Sequence, residues 1–292
     1  MTLRQRLTRR FQRGLHAVVQ WLPFATIRAA VLRFSRPQIY VGDHTVMTRT
    51  IFGHPIFLDS RDVHIFPRVA FYGVWEPHVT DVILHRLRPG MHAVDIGANV
   101  GYHTMVMAAQ VLPGGRVTAV EANPRMCGLL RRSLAASGYG YTTTVVEKAL
   151  LDEPGEVELR RSVFHPGSTS LYPLESAFEF GAVDGFTVPA TTLDSCLGET
   201  DGRVDFIKMD VEGAEPLVFA GMAVTLARNP VLEIAMEFSR ERFAHSGHSA
   251  QAFVDFLVAE GFRFDEILPR ARLRRLSPDE VLTLDFADLL LT

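Results

Sequence analysis

Apolar residues recur in two rhythms along this chain. Short, mostly apolar runs at residues 93–96, 117–120, 143–146, 204–209 and 231–238 have the length of strands buried on both faces. Between most of them lie segments with apolar positions three and four apart, at 77–88, 102–111, 125–137, 215–227 and 250–260, which predict helices. The first of these helices stops at Pro89-Gly90. Strand and helix in alternation predict an α/β fold built on a parallel sheet. Residues 155–192 break the rhythm with two polar-alternating runs around a stretch rich in Gly, Ser and Pro, and predict a hairpin inserted in or added to the sheet. Runs at 262–267 and 281–291 predict a closing antiparallel pair, and residues 52–72 read as irregular.

A different pattern precedes this. Leu3, Leu7, Phe11, Leu15, Val18 and Leu22 recur at helical spacing until Pro23, with arginines between them, and predict a basic amphipathic helix. Residues 1–42 carry eight arginines and no carboxylate. Because the whole chain has 30 basic and 33 acidic side chains, the remainder is acidic, and the chain divides into an extension (1–42) and a main domain (43–292). Such a helix suits peripheral contact with an anionic membrane. The competing readings are an apolar stripe packed on the main domain and an extension without fixed structure. A secretory signal is a poor fit, since His16, Gln20 and Pro23 interrupt its apolar core, and Arg28 ends any run approaching the roughly 20 residues of a spanning helix. A net charge of −3 excludes a surface built throughout for nucleic acid. Cys127 and Cys196 have neither metal-ligand nor disulfide-framework spacing, so a reducing, cytoplasmic setting is expected.

Three motifs sit at strand ends. In Asp95-Ile96-Gly97-Ala98-Asn99-Val100-Gly101, the two glycines permit a tight turn and close backbone approach, and Asp95 sets a carboxylate suited to a cationic ammonium beside the crevice. Asn99 stands where a dinucleotide fingerprint needs its second glycine, which argues against NAD or FAD, and no P-loop motif occurs. About twenty residues on, Glu121 closes the second strand, where an acidic side chain can accept both hydroxyls of a ribose. Asn123-Pro124 then reads as the cap and first residue of a helix. In Lys208-Met209-Asp210-Val211-Glu212-Gly213-Ala214-Glu215, strand alternation puts Lys208 and Asp210 on one face; a structural ion pair is the rival to a functional role. Glu212 and Glu215 suit a helix start, and Gly213 lets the backbone turn.

These motifs, with Trp75-Glu76-Pro77 and Thr192-Leu193-Asp194, resemble the FkbM family of S-adenosylmethionine-dependent methyltransferases over roughly residues 75–290. The resemblance implies a class I, Rossmann-like three-layer sandwich: a mostly parallel seven-stranded sheet whose sixth and seventh strands form the antiparallel C-terminal pair. It implies that Asp95, Gly97, Asn99 and Gly101 hold the methionine moiety, Glu121 the ribose, and Ala149 and Leu150 the adenine. Glu76 is a candidate to approach the amino group, and Asp210 borders the cofactor.

With that cofactor the protein has only to align a nucleophilic oxygen and manage one proton. Asp210 is the first candidate for the base by position, then Glu237 at the end of the fifth strand, then His103 at the opening of the first helix after the glycine loop. Lys208 would orient Asp210 or favour ionisation of the acceptor. The inserted segment is expected to form the acceptor pocket, with Ser168, Thr169, Ser170 and Tyr172. His245 and His248 straddle Gly247 without a third ligand in view, and no metal is expected. The expected activity is O-methylation of a hydroxyl on a small molecule, sugar or glycan. The alternatives are a nucleic-acid methyltransferase using the basic arm, weakened because that arm lacks interleaved stacking aromatics, and a non-catalytic cofactor-binding module.

Overall fold

The computed structural model describes residues 36–162, 165–172, 183–198 and 202–292; the amphipathic helix expected over residues 3–22 lies outside them. The described chain opens with three antiparallel strands, β1 (Ile39–Tyr40), β2 (Thr45–Arg49) and β3 (Pro55–Asp59). Helices α1 (Ile65–Tyr72) and α2 (Pro77–Arg86) follow. Then strand and helix alternate: β4 (His92–Ile96), α3 (Tyr102–Val111), β5 (Arg116–Glu121), α4 (Pro124–Ser137) and β6 (Thr143–Glu147). Strand β7 (Ala149–Leu150) follows, and the insertion holds β8 (Gly155–Ser162), β9 (His165–Ser170) and β10 (Val183–Thr191), which join β7 in one sheet. Alternation resumes with α5 (Leu193–Leu197), β11 (Phe206–Met209), α6 (Glu215–Ala220), α7 (Ala223–Arg228) and β12 (Glu233–Ser239). The chain closes with α8 (Arg240–Ser246), α9 (Ala250–Ala259), β13 (Phe264–Leu268), β14 (Arg272–Leu276), α10 (Pro278–Thr283) and β15 (Phe286–Leu291).

The main sheet runs β14-β13-β15-β12-β11-β4-β5-β6. From β12 to β6 every pairing is parallel, and β15 enters antiparallel between β12 and β13. The seven expected strands are all present, and β14 adds an eighth at the edge, paired to β13 as a hairpin. Adjacent residues of β4 feed opposite layers: Ala93 packs with α2, α3 and α4, whereas Val94 and Ile96 pack with α5, α6, α9 and α10. Two apolar layers flanking a fully buried strand explain why these runs are mostly apolar rather than strictly alternating.

Four features depart from the sequence expectation. The segment 52–72 contains β3 and α1, because Pro67 lies within the first helical turn, where no backbone N–H is needed for the ladder. The insertion forms its own sheet, β7-β10-β8-β9, beside the main one. The helix expected over 215–227 is two helices, broken at Gly221 and Met222. Strand β1 also pairs with β2 although it precedes Gly42. Among the described residues no helix is long and apolar enough to cross a membrane.

Candidate active site

The strand order reverses between β4 and β11, and open α/β sheets present their ligand crevice above such a switch point. A cavity of about 690 Å³ lies there. Its floor is the loop after β4. Gly97 has φ +75°, and a Cβ on it would meet the Asp210 carbonyl oxygen at 1.9 Å, so only glycine lets the ends of β4 and β11 close on each other. Gly97 and Ala98 donate their N–H groups to the Val120 carbonyl, each at 3.0 Å. Asn99 adopts the left-handed region at φ +50° and donates its N–H to Glu121 Oε2 at 2.8 Å, while Asn123 N–H reaches Glu121 Oε1 at 2.7 Å. Two backbone donors thus fix the Glu121 carboxyl over the end of β5; burial nonetheless raises its pKa to about 7. Asn123 caps α4 by accepting from Arg125 N–H, with Pro124 in the first turn, as its spacing implied.

Charge collects on one face of the sheet. Lys208 on β11 is in register with Asp95 on β4 and Ala235 on β12, and its ammonium lies 3.2 Å from Asp210 Oδ2. Burial works against the Lys208 charge, but Asp210, Asp95 and Glu76 together raise its pKa. Burial would likewise raise the Asp210 pKa, yet Lys208 and Arg242 hold it below the usual carboxylate value. Glu76, at φ +40° just before Pro77, is pushed up to about 7 by burial and by the Asp210 and Asp288 charges, against the pull of Lys208. His103 is buried, with Nε2 3.4 Å from Thr80 Oγ1 and 3.9 Å from Glu76 Oε2, and burial lowers its pKa well below that of a free imidazole. Glu237 is ion-paired to Arg242, which also reaches Glu212 at 2.7 Å.

Ten of the twelve residues singled out from the sequence line this one cavity: Glu76, Gly97, Asn99, His103, Glu121, Ala149, Leu150, Lys208, Asp210 and Glu237. Asp95 and Gly101 do not. Asp95 lies beneath the floor, with Oδ2 accepting from Thr104 Oγ1 at 2.5 Å and Oδ1 lacking a hydrogen-bond partner among the described residues. Gly101, at φ +88°, makes room for Leu130. In the insertion, Gly167, Thr169 and Leu171 face the cavity, as period-two alternation along a strand requires. Ser170 points away and donates to the Glu212 carbonyl, and Tyr172 instead bonds His248 Nε2 at 3.1 Å; the Ser168 side chain lies outside the described residues. Among the described residues no group of three or more His, Cys, Asp and Glu is arranged to hold a metal. Sequence reasoning missed Arg242, Asp62, His64, Arg68 and Tyr72, which also line the cavity. The last four belong to the segment read as irregular, and nothing in the linear pattern marks Arg242.

The lining fits S-adenosylmethionine. The Gly97 cradle lets a ligand approach the backbone closely, and the buried Oδ1 of Asn99 has no partner among the described residues. The carboxyl groups of Glu121 and Glu76 face the same cavity and could accept hydrogen bonds from hydroxyl and ammonium groups of such a ligand.

The chain is similar to several known methyltransferases. The chain is 38% identical over 65 residues to a protein-L-isoaspartate O-methyltransferase of Methanopyrus kandleri, covering 22% of this chain and 29% of that protein. It is 36% identical over 88 residues to a demethylmenaquinone methyltransferase of Symbiobacterium thermophilum, covering 30% of this chain and 35% of that protein. The similarity therefore spans about a third or less of those relatives. Among solved structures, Aeropyrum pernix fibrillarin with natively bound S-adenosyl-L-methionine aligns at 12% identity and TM-score 0.42, over 88% of this chain and 100% of that one. An O-methyltransferase from Bacillus cereus in complex with SAH aligns at 14% identity and TM-score 0.41, over 74% and 80%. The model of the methyltransferase FkbM domain matches residues 95–264, a narrower span than the motifs suggested but more than half of the chain, and the protein belongs to that family of S-adenosylmethionine-dependent methyltransferases.

Proposed function

We propose that this methyltransferase acts on a hydroxyl oxygen of a small molecule, sugar or glycan, in the cytoplasm. The observation that carries this reading is the Lys208–Asp210 ion pair, at 3.2 Å, in the wall of the cavity that also holds the cofactor-fitting residues. In this assignment the loop of Gly97 and Asn99 holds the methionine portion, with Asp95 beneath it, bonded to Thr104, as its support. Glu121 takes the ribose hydroxyls, the strand Ala149–Leu150 flanks the adenine, and Glu76 receives the ammonium. When bound, S-adenosylmethionine supplies a methyl group made electrophilic by its sulfonium sulfur.

What remains for the chain is alignment and one proton. Asp210, kept ionised by Lys208 and Arg242, accepts the hydrogen bond and then the proton of the acceptor hydroxyl. The Lys208 ammonium offsets the negative charge that develops on that oxygen. Glu237 is the second candidate for the proton but is tied to Arg242. His103, held neutral by burial and next to Thr80, suits a positioning role better than that of base. Several of the matched relatives are named as O-methyltransferases, which supports oxygen as the receiving atom. Unpaired Cys127 and Cys196 support a reducing compartment. Asp210→Asn is expected to bind S-adenosylhomocysteine within about threefold of the parent by calorimetry. Its transfer of labelled methyl from S-adenosylmethionine into a host-cell extract should fall by roughly a hundredfold or more. Unchanged transfer would remove Asp210 as the base.

A further inference from the structure

Beside the mouth of the cavity the folded domain exposes apolar side chains that a soluble surface normally covers. Phe71 and Tyr72, ending α1, are 67% and 68% exposed, and Ile51 is 51% exposed. They are contiguous: Ile51 N–H donates to the Gly73 carbonyl at 2.9 Å, and Arg36 donates to the Phe71 carbonyl at 2.9 Å. Tyr72 and the exposed Arg68, whose guanidinium lies 5.3 Å from the Trp75 ring, also line the cavity, so patch and mouth share a border.

The charge around the patch selects its partner. Residues 36–75 contain three carboxylates, and each is already engaged. Asp43 pairs with Arg125, Asp59 is buried between Arg61 and Arg125, and Asp62 is buried and accepts the N–H groups of His64 and Ile65. Arg36, Arg49 and Arg68 flank the apolar side chains, and the sequence leading into Arg36 carries seven further arginines and no carboxylate. Aromatic and aliphatic side chains ringed by arginine are the composition of a surface that sits at the headgroup level of an anionic bilayer. A second copy of this chain would oppose arginine to arginine across the same patch.

We propose that this face, centred on Ile51, Phe71 and Tyr72, docks on an anionic membrane surface and brings the mouth of the cavity to the lipid headgroups. The test uses the full chain sedimented with vesicles of phosphatidylcholine containing about one third phosphatidylglycerol, against vesicles of phosphatidylcholine alone. The parent should prefer the anionic vesicles. The Ile51→Ser/Phe71→Ser variant should partition roughly tenfold more weakly with unchanged thermal melting. Should the double variant fail to fold, Phe71→Ser alone carries the test, with a loss of about threefold. Parent-like partitioning of the variant, equal binding of the parent to both vesicle types, or a parent dimer that the substitution dissociates would each overturn the proposal. Calorimetry with S-adenosylhomocysteine keeps the two readings apart: loss of cofactor binding by the parent would strike the methyltransferase site and leave the docking surface standing.

Discussion

At the scale of the residue, two glycines of one loop have unlike roles. At Gly97 a Cβ would meet backbone, the Asp210 carbonyl oxygen at 1.9 Å, whereas at Gly101 it would meet Leu130 Cδ1 at 2.2 Å, the end of a flexible side chain. Both carry the strain of a positive φ, roughly 1–2 kcal/mol for a residue with a Cβ. Only at Gly97 must the main chain itself move, and it moves the loop away from Asp210. Gly97→Ala is therefore expected to weaken S-adenosylhomocysteine binding more than tenfold by calorimetry, and Gly101→Ala markedly less; equal losses would mean that strain alone sets the loop. Legibility divides along the same line. Lys208, Asp210 and Glu121 could be placed from sequence because strand alternation and strand ends determine where such side chains point. Asp95 was misplaced by one layer: in register with Lys208 and bonded to Thr104, it supports the floor from below. Arg242 was invisible because its role depends on α8 bringing it to Glu212 and Glu237, a long-range contact with no local signal.

At the scale of the element, strand β9 lies across the loop after β4. Asn99 Nδ2 approaches the Gly167 carbonyl at 3.4 Å, Asn123 Nδ2 approaches Thr169 Oγ1 at 3.3 Å, and Ser170 donates to the Glu212 carbonyl at 3.3 Å. Each of these bonds ties the insertion to a different motif of the main sheet. A Cβ on Gly167 would sit 2.7 Å from Asn99 Nδ2 and 2.8 Å from Asp62 Oδ2, so Gly167→Ala should lift β9 from the loop without disturbing the core. Its expected signature is cofactor affinity lowered by about three- to tenfold with an unchanged melting temperature, since surface changes of this kind cost little stability. Unaltered affinity would show that the strand contributes nothing to retention of the cofactor. The apolar strands at the centre of the main sheet announced themselves because both their faces are buried. Strands β2 and β3, no shorter than β4, did not: they belong to a separate three-stranded sheet with partly exposed positions, and Pro55 opens β3 where proline reads as a breaker. Their place is fixed instead by contacts with α4, such as Phe57 N–H donating to Ser133 Oγ at 3.0 Å.

At the scale of the molecule, buried acid is concentrated in and behind the crevice. Glu76, Glu121, Glu212 and Glu215 each have a pKa raised from 4.5 to about 7, in every case chiefly by burial. A carboxyl raised on folding is more protonated in the native than in the unfolded state between those two values. The stability it contributes is complete below about 4.5 and is lost as pH rises through about 7. For Glu121 alone this amounts to at most about 3 kcal/mol, and the other three share the same field and do not add in full. The carboxylates whose pKa is lowered, Asp43, Asp59, Asp210 and Glu280, act in the opposite sense, but their window lies below about 4.5; the lowered His54 and His103 oppose the trend up to about 6.5, and the raised His78 adds to it above that. The melting temperature of the unliganded protein is therefore expected to fall by several degrees between pH 5.5 and 8, at about 2–4 °C per kcal/mol. Glu121→Gln should flatten part of that slope. In the proposed assignment S-adenosylmethionine brings its ammonium to Glu76 and favours the ionised form of that carboxyl, so its stabilising effect should be larger at pH 8 than at pH 6, with protons released on binding. Thermal melts with and without the cofactor across this range measure both effects. A melting temperature that rises through the window would mean that these glutamates are ionised in the empty crevice, and that the site is organised by ion pairs rather than by burial.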